Sequence, residues 1–167
     1  MTLAALNGLD LAAFREAVGW VFEQSPWVAE RAWQNRPFAT LESLQAAMAG
    51  AVAVASPAEQ LSLIRAHPDL GTRARMSAAS EGEQAGAGLD RLTPAEFDLL
   101  HRLNAAYREK FGFPFVYAVK GADKHVILAA LQTRLATEPE AERAAALAQI
   151  YRIAQFRLES LILCTTS

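Results

Sequence analysis

The sequence predicts an all-α protein, a single-domain helical bundle of about seven to nine helices over residues 1–167. Apolar residues recur at intervals of three and four along most of the chain, which is the period of an amphipathic helix. Several of these stretches open with a serine or threonine followed by proline, or by glutamate three positions on, and both patterns are helix start signals. One short extended segment near residues 115–119 interrupts the helical pattern.

Length and composition exclude several classes of protein. A chain of 167 residues is large enough to bury one core. The net charge is −2 and no long basic run is present, so we expect no nucleic-acid partner. No stretch approaches about 18 consecutive apolar residues, which favours a cytoplasmic protein without a membrane anchor. Only one cysteine occurs, Cys164, so no intrachain disulfide is possible, and its apolar neighbours favour inert packing.

The first two helices have recognisable starts. Asp10 is the expected N-cap of a helix over about residues 11–23. Ser25 and Pro26 have the serine-cap and first-position-proline pattern that opens a second helix. That helix must stop before Pro37.

The next two helices lead to the first candidate for chemistry. Thr40 opens a third helix, whose expected buried residues are Leu41, Leu44, Met48, Val52 and Val54. Ser56 and Glu59 have capping-box spacing and open a fourth, which Pro68 ends. The fourth helix therefore places His67 at its C-terminal end, where the negative end of the helix dipole favours the protonated imidazolium.

The second half of the chain is also helical. Thr93 and Glu96 form another capping box, which opens a helix over about residues 94–110, ended by Gly112. The last two helices are expected over about residues 123–136 and 139–163.

The segment at residues 115–119 is rich in aromatic and β-branched residues and is expected to be extended. No other part of the chain has the pattern of a partner strand, so its backbone N–H and C=O groups need other partners. A bound ligand is one possibility. Water or a neighbouring loop is the other, and composition alone favours it.

Three histidines are present, and one differs from the others. His101 lies within a helix and His125 starts one, so both are expected to be surface or helix-end residues. His67 lies beside Pro68, which fixes its backbone outside a continuing helix. Although a histidine before a turn is more often structural than catalytic, His67 is the best candidate for one half of an acid–base pair.

Glu83, 16 residues after His67, is the candidate for the other half. A competing interpretation is that Ser80 and Glu83 form a capping box, in which case Glu83 only caps a helix. The glycines that follow match neither a P-loop nor a dinucleotide fingerprint. We expect no metal, because His67 and Asp69 supply only two ligands and neither H-x-x-x-H nor paired cysteines occur.

Arg157 lies at the edge of the apolar face of the last helix. A guanidinium in that position needs a buried anionic partner, because an unpaired buried charge is costly. The partner is either a protein carboxylate, which makes Arg157 structural, or an anionic group of a substrate. The sequence leaves both open.

Four separated motifs occur in one order along the chain. They are HPDLG at 67–71, Ser80-x-x-Glu83-Gln84 continuing to Ala87-Gly88-Leu89, FGFPFV at 111–116, and Arg157-Leu158. In order and approximate spacing this set resembles the OHCU decarboxylase family, the 2-oxo-4-hydroxy-4-carboxy-5-ureidoimidazoline decarboxylases. The resemblance covers nearly the whole chain, from Ser25-Pro26-Trp27 onward.

The resemblance implies a cofactor-free, metal-free, all-helical lyase, usually a homodimer, that acts on this small molecule in the last step from urate to (S)-allantoin. It implies that His67 and Glu83 are the catalytic pair. The substrate-binding residues that it implies are Pro68, Ser80, Gln84, Phe115, Val116, Tyr117, Ala118, Val119 and Arg157. The spacer at residues 72–79 looks shorter than in many relatives, which leaves the shape of that loop undecided.

Two alternatives remain compatible with the sequence. One is a cofactor-free lyase or hydrolase that acts on a related ureido compound. The other is a non-catalytic helical interaction module, although the presence of His67 and Glu83 argues against it.

Overall fold

The computed structural model describes residues 1–72 and 76–162. Within these ranges the chain forms nine α-helices and one short 3-10 helix, Trp33–Asn35, with no β-strand. The all-α prediction and the expected number of helices are confirmed, whereas Cys164 and part of the 72–79 spacer lie outside the described residues. The helices are α1 Leu3–Asn7, α2 Leu11–Val18, α3 Trp27–Ala32, α4 Leu41–Ala53, α5 Pro57–Arg65, α6 Ala78–Gly86, α7 Pro94–Phe111, α8 Lys124–Leu135 and α9 Pro139–Leu161.

The chain groups into two compact units. The first comprises Met1–Ala66 and the chain from Tyr151 onward, and the second comprises His67–Ile150. The division falls within α9. The single-domain organisation stays a prediction.

The cap of α2 is as predicted, but its end is not. The Asp10 carboxylate accepts a hydrogen bond from the Ala13 N–H at 2.8 Å. The helix then ends at Val18 rather than near residue 23. Gly19 follows as the C-cap, and its N–H donates to the Arg15 carbonyl at 2.8 Å. Glycine is a poor helix former, so the helix stops there although the apolar pattern continues.

The predicted serine cap of α3 is wrong. Pro26 occupies the N-cap position and makes no side-chain capping bond. The Ser25 hydroxyl instead donates to the Glu23 carbonyl at 2.9 Å. The helix does stop before Pro37, as predicted.

Both predicted starts of α4 and α5 are confirmed. Thr40 and Ser43 form a capping box for α4, and Ser56 and Glu59 form one for α5. The hydrogen bond from the Arg31 side chain, followed by that from the Ser56 N–H, holds the pKa of Glu59 down to about 2. No single helix in the described ranges is long and apolar enough to cross a membrane, and only the bent α4–α5 pair meets that criterion, by length and composition alone.

The expected buried face of α4 is correct except at one end. Leu44, Met48 and Val52 are buried and Leu41 is partly buried. Val54 is 85% exposed, so its prediction as a buried residue is wrong. The helix ends one residue earlier, so Val54 no longer follows the buried face.

The start of α6 differs from one interpretation of the sequence. The N-cap of α6 is Ser77, whose hydroxyl accepts from the Ser80 N–H at 3.2 Å. Ser80 and Glu83 therefore lie inside the helix, and the competing interpretation of the two residues as its capping box is wrong. In contrast, the Thr93–Glu96 capping box of α7 is confirmed.

The end of α7 leads into the non-helical segment. Gly112 closes α7 in the left-handed conformation, with φ 75°. Residues 114–119 then form neither helix nor strand, and every residue of the 115–119 segment is buried except the partly exposed Tyr117.

Candidate active site

The HPDLG turn presents His67 where the sequence predicts it. α5 ends at Arg65, and His67 follows two residues later with only 6% of its surface exposed. A histidine held among protein atoms, rather than in free solvent, has a fixed ring position. This is the first requirement for directed proton transfer.

Gln84 ties α6 to the turn. Its Oε1 accepts a hydrogen bond from the Gly71 N–H at 2.8 Å, and its Nε2 lies 3.5 Å from the Met76 sulfur. The side chain is 6% exposed. One helix that carries predicted site residues is therefore linked directly to the turn that carries His67.

Two side chains of α7 also form hydrogen bonds with the HPDLG turn. The Asn104 amide donates to the Leu70 carbonyl at 2.9 Å. The Arg108 Nε donates to both oxygens of Asp69, at 2.8 and 3.0 Å. Asp69 is thus engaged by an arginine, and no cluster of three or more potential metal ligands occurs within the described ranges.

Asn104 and Arg108 are functional-site neighbours that the sequence analysis did not identify. Asn104 is 6% exposed and lies at the i+4 position from the buried Leu100. An amide on the apolar face of a helix needs a hydrogen-bond partner. That polar interruption of the buried face is the signal by which Asn104 could have been found.

Replacing Gly71 with alanine is expected to destabilise the protein by about 1–3 kcal/mol. Gly71 has φ +70°, and an added Cβ would lie 2.4 Å from Leu100 Cδ2. Gly82 is the matched control, because it lies inside α6 with no atom within 4 Å of an added Cβ. There alanine is expected to stabilise by roughly 0.5–1 kcal/mol. Chemical denaturation of both variants tests this, and equal changes for the two would contradict it.

α6 carries three of the predicted site residues. Ser80 and Gln84 are 5% and 6% exposed, and their spacing of four places them on one face of the helix. Glu83 is partly exposed beside them. A cavity of about 610 Å³ opens along this helix, and its lining includes Gln84, Gly71, Met76 and Leu89. Among the described residues that line the cavity, Gln84 is the one that the sequence predicted as a site residue, whereas His67, Ser80 and Glu83 do not line it.

The backbone of the 115–119 segment is partly satisfied by side chains. The Val116 carbonyl accepts from Arg134 Nη1 at 2.7 Å, and the Ala118 N–H donates to Gln149 Oε1 at 2.9 Å. These partners are neither water, nor a loop, nor a ligand, which are the answers that the sequence suggested. Arg134 and Gln149 were missed because nothing in a helical pattern identifies a partner for a distant loop.

Arg157 has a protein carboxylate as its partner. The side chain is buried, and Nη1 lies 3.2 Å from the Glu23 carboxylate, 3.2 Å from the Val21 carbonyl and 3.4 Å from the Trp20 carbonyl. Of the two partners left open by the sequence, the protein carboxylate is present. A role of Arg157 in substrate binding stays a prediction.

The described residues form an all-α protein in which buried polar side chains hold the HPDLG turn. The family model described as OHCU decarboxylase matches residues 7–159. The chain therefore belongs to the OHCU decarboxylase family, which confirms the resemblance and the expectation of a decarboxylase, that is, a carboxy-lyase.

Individual relatives agree with this assignment. The 2-oxo-4-hydroxy-4-carboxy-5-ureidoimidazoline decarboxylase of Halalkalicoccus jeotgali is 47% identical over 161 residues, which cover 96% of this chain and 92% of that protein. The uric acid degradation bifunctional protein PucL of Bacillus subtilis is 45% identical over 96% of this chain. A crystal structure of (S)-allantoin synthase matches with a TM-score of 0.80 and 36% identity over 97% of this chain. The chain spans 33% of PucL and 54% of the allantoin synthase chain.

Proposed function

We propose that the protein decarboxylates 2-oxo-4-hydroxy-4-carboxy-5-ureidoimidazoline to (S)-allantoin in urate degradation. The observation that carries the proposal is the family match over residues 7–159. The near full-length similarity to the Halalkalicoccus jeotgali decarboxylase supports the substrate. The similarity to a uric acid degradation protein and to (S)-allantoin synthase supports the pathway and the product.

The reaction needs little from a catalyst beyond orientation and a proton. The substrate carries a hydroxyl and a carboxylate on one ring carbon, next to a C=N bond. When the bond to the carboxylate breaks, CO₂ leaves, the electron pair forms a double bond between the two ring carbons, and the C=N pair moves onto nitrogen, which takes up a proton, so the substrate is its own electron sink. The hydroxyl of the resulting enol then loses its proton and becomes the ring carbonyl. One proton must then reach one face of the neighbouring ring carbon to set the (S) centre.

His67 and Glu83 form the acid–base pair in this proposal. His67 donates or relays the proton, and Glu83 orients the imidazole and favours its charged form. The burial of His67 and the three ties on its turn support a fixed position for the donor. The link from Gln84 to Gly71 supports the proximity of Glu83, which immediately precedes Gln84 in α6.

The remaining predicted residues bind the substrate. Gln84 uses Oε1 for the turn, and its amide nitrogen, which lies 3.5 Å from the weak acceptor sulfur of Met76, bonds a polar group of the ligand in this proposal. Pro68, Ser80, Arg157 and the 115–119 segment keep the substrate-binding roles that the family resemblance implies. Arg157 contacts the substrate while Glu23 balances its charge.

A coupled assay tests the function. The wild-type protein is added to substrate generated freshly from urate by urate oxidase and hydroxyisourate hydrolase, and the decay and the optical rotation of the product are followed. Faster decay with formation of (S)-allantoin is expected. Unchanged decay would refute the proposal and favour an interaction module, and acceleration only with a related ureido compound would favour a different substrate.

Assembly and location go with this proposal as predictions. The protein is expected to be a cytoplasmic homodimer without nucleic-acid or membrane partners. Light scattering at micromolar concentration measures its mass, and a monomer would contradict the first of these predictions.

A further inference from the structure

A largely buried arginine, Arg134, supports the 115–119 segment. The Arg134 side chain is 13% exposed, and its Nη1 donates to the Val116 carbonyl at 2.7 Å. Its guanidinium also lies over the Phe115 ring, 4.7 Å from the ring centroid. Arg134 therefore contacts two successive residues of the segment, one through the backbone and one through the aromatic face.

Glu142 holds this arginine in place. Its side chain is 1% exposed, and its carboxylate accepts from Arg134 Nε at 2.6 Å and from the Thr137 hydroxyl at 2.7 Å. The Tyr107 hydroxyl donates to it as well. Burial, followed by the bond to Glu142, raises the pKa of Tyr107, so the phenol stays a donor. A planar guanidinium paired to a buried carboxylate has little freedom to move.

Two hydrogen bonds to the segment fix the orientation of the peptides on either side of Tyr117. A trans peptide is planar, and its C=O and N–H point in opposite directions. Because the Val116 C=O points to Arg134, the N–H of Tyr117 in the same peptide points away from Arg134. Because the Ala118 N–H points to Gln149, the C=O of Tyr117 points away from Gln149. Two side chains thus fix the peptides on both sides of one residue.

The backbone N–H and C=O of Tyr117 can accept a ligand as their hydrogen-bond partner. Within the part of the chain that the structure describes, neither its N–H nor its C=O makes a hydrogen bond. Polar backbone groups in an otherwise buried segment need partners. A donor and an acceptor on one residue match a urea-like group, which offers both N–H and C=O.

We propose that Arg134, held by Glu142, is a positioning residue that presents the backbone N–H and C=O of Tyr117 to the ureido or ring-amide group of the substrate. The proposal rests on the proposed function for the identity of the ligand. Arg134 touches the segment and not the reacting atoms, so it acts on binding rather than on proton transfer.

Two variants and a control test this role. Arg134→Lys keeps the charge beside Glu142 but lacks the planar fork that bonds the carboxylate and the Val116 carbonyl together. Arg134→Gln combined with Glu142→Gln removes both charges, so no unpaired buried charge remains to unfold the protein. Lys124→Gln is the control, because Lys124 lies on the same helix and pairs with Glu96 at 2.6 Å, at the opposite end from Arg134.

Steady-state kinetics give the first readout. For both Arg134 variants KM is expected to rise about tenfold while kcat changes less than about threefold, which corresponds to loss of a well-placed hydrogen bond in ground and transition state alike. The control is expected to keep both constants. Unchanged KM in a folded variant overturns the proposal, and so does a fall in kcat alone.

Hydrogen exchange gives a readout that needs no activity. In the absence of ligand, amides at residues 115–119 are expected to exchange faster in the double variant than in wild type, and at the wild-type rate in the control. Equal exchange in all three proteins overturns the positioning role. If wild type fails to accelerate substrate decay, the proposed function is wrong, and this exchange comparison alone decides whether Arg134 fixes the segment.

Discussion

His67→Gln is expected to lower kcat by about 10²–10⁴-fold, the usual contribution of a positioned general acid or base. Glutamine keeps hydrogen-bonding capacity in a buried position but cannot deliver a proton. The product that still forms is expected to lose its excess of the (S) form. Turnover is measured in the coupled assay, and chirality by circular dichroism of the allantoin.

The control for this variant is His101→Gln. His101 is exposed and stacks on Phe97 with ring centroids 5.9 Å apart, so its replacement is expected to leave turnover unchanged. Glu83→Gln and Glu109→Gln give the same comparison for a glutamate, since Glu83 is partly buried on α6 and Glu109 is exposed on α7. A His67→Gln protein that unfolds like wild type and turns over within twofold of it would rule out the acid–base role.

Arg157→Met is expected to lower the free energy of unfolding by about 3–5 kcal/mol, because it leaves the Glu23 carboxylate buried without its guanidinium partner. Both side chains are almost fully buried, at 3% and 2% exposed. Adding Glu23→Gln removes the stranded charge and is expected to restore most of the stability. Urea denaturation of the single and double variants measures both steps, and a single variant as stable as wild type would contradict the argument.

The same pair of variants separates the structural role of Arg157 from its proposed binding role. If Arg157 contacts the substrate, the Arg157→Met, Glu23→Gln double variant is expected to have a raised KM although its stability is restored. Recovery of wild-type KM together with stability would show that Arg157 serves only to neutralise Glu23. The free energy of unfolding therefore tests the structural role of Arg157, and KM tests its binding role.

Local signals predicted the starts of helices well. The capping boxes at Thr40, Ser56 and Thr93 each lie within four residues, so no distant contact decides them. Ser80 and Glu83 have capping-box spacing but do not cap α6, because the hydroxyl of Ser77, three residues before Ser80, is the N-cap of the helix. α2 was drawn too long because buried residues of the turn after Gly19 imitate a helical face.

The contacts that hold the candidate site could not be predicted from the sequence, whereas the catalytic roles of His67 and Glu83 stay predictions. The motif order led to His67, Glu83 and their neighbours, since these residues cluster in the sequence. The supporting contacts join distant positions: Asn104 is 34 residues from Leu70, and Glu23 is 134 residues from Arg157. Hydrophobic periodicity reports which face of an element is buried and not which polar group it meets there.

The buried side chains of α6 are polar rather than apolar. Its nine residues include two glycines, and the side chains that it buries are the polar Ser80 and Gln84. A helix this short and poor in apolar contacts has little stability of its own. We therefore expect the free energy of local unfolding of α6 to be low compared with that of the longer helices. If the substrate bonds Ser80 and Gln84 as proposed, its binding also stabilises the folded state of α6.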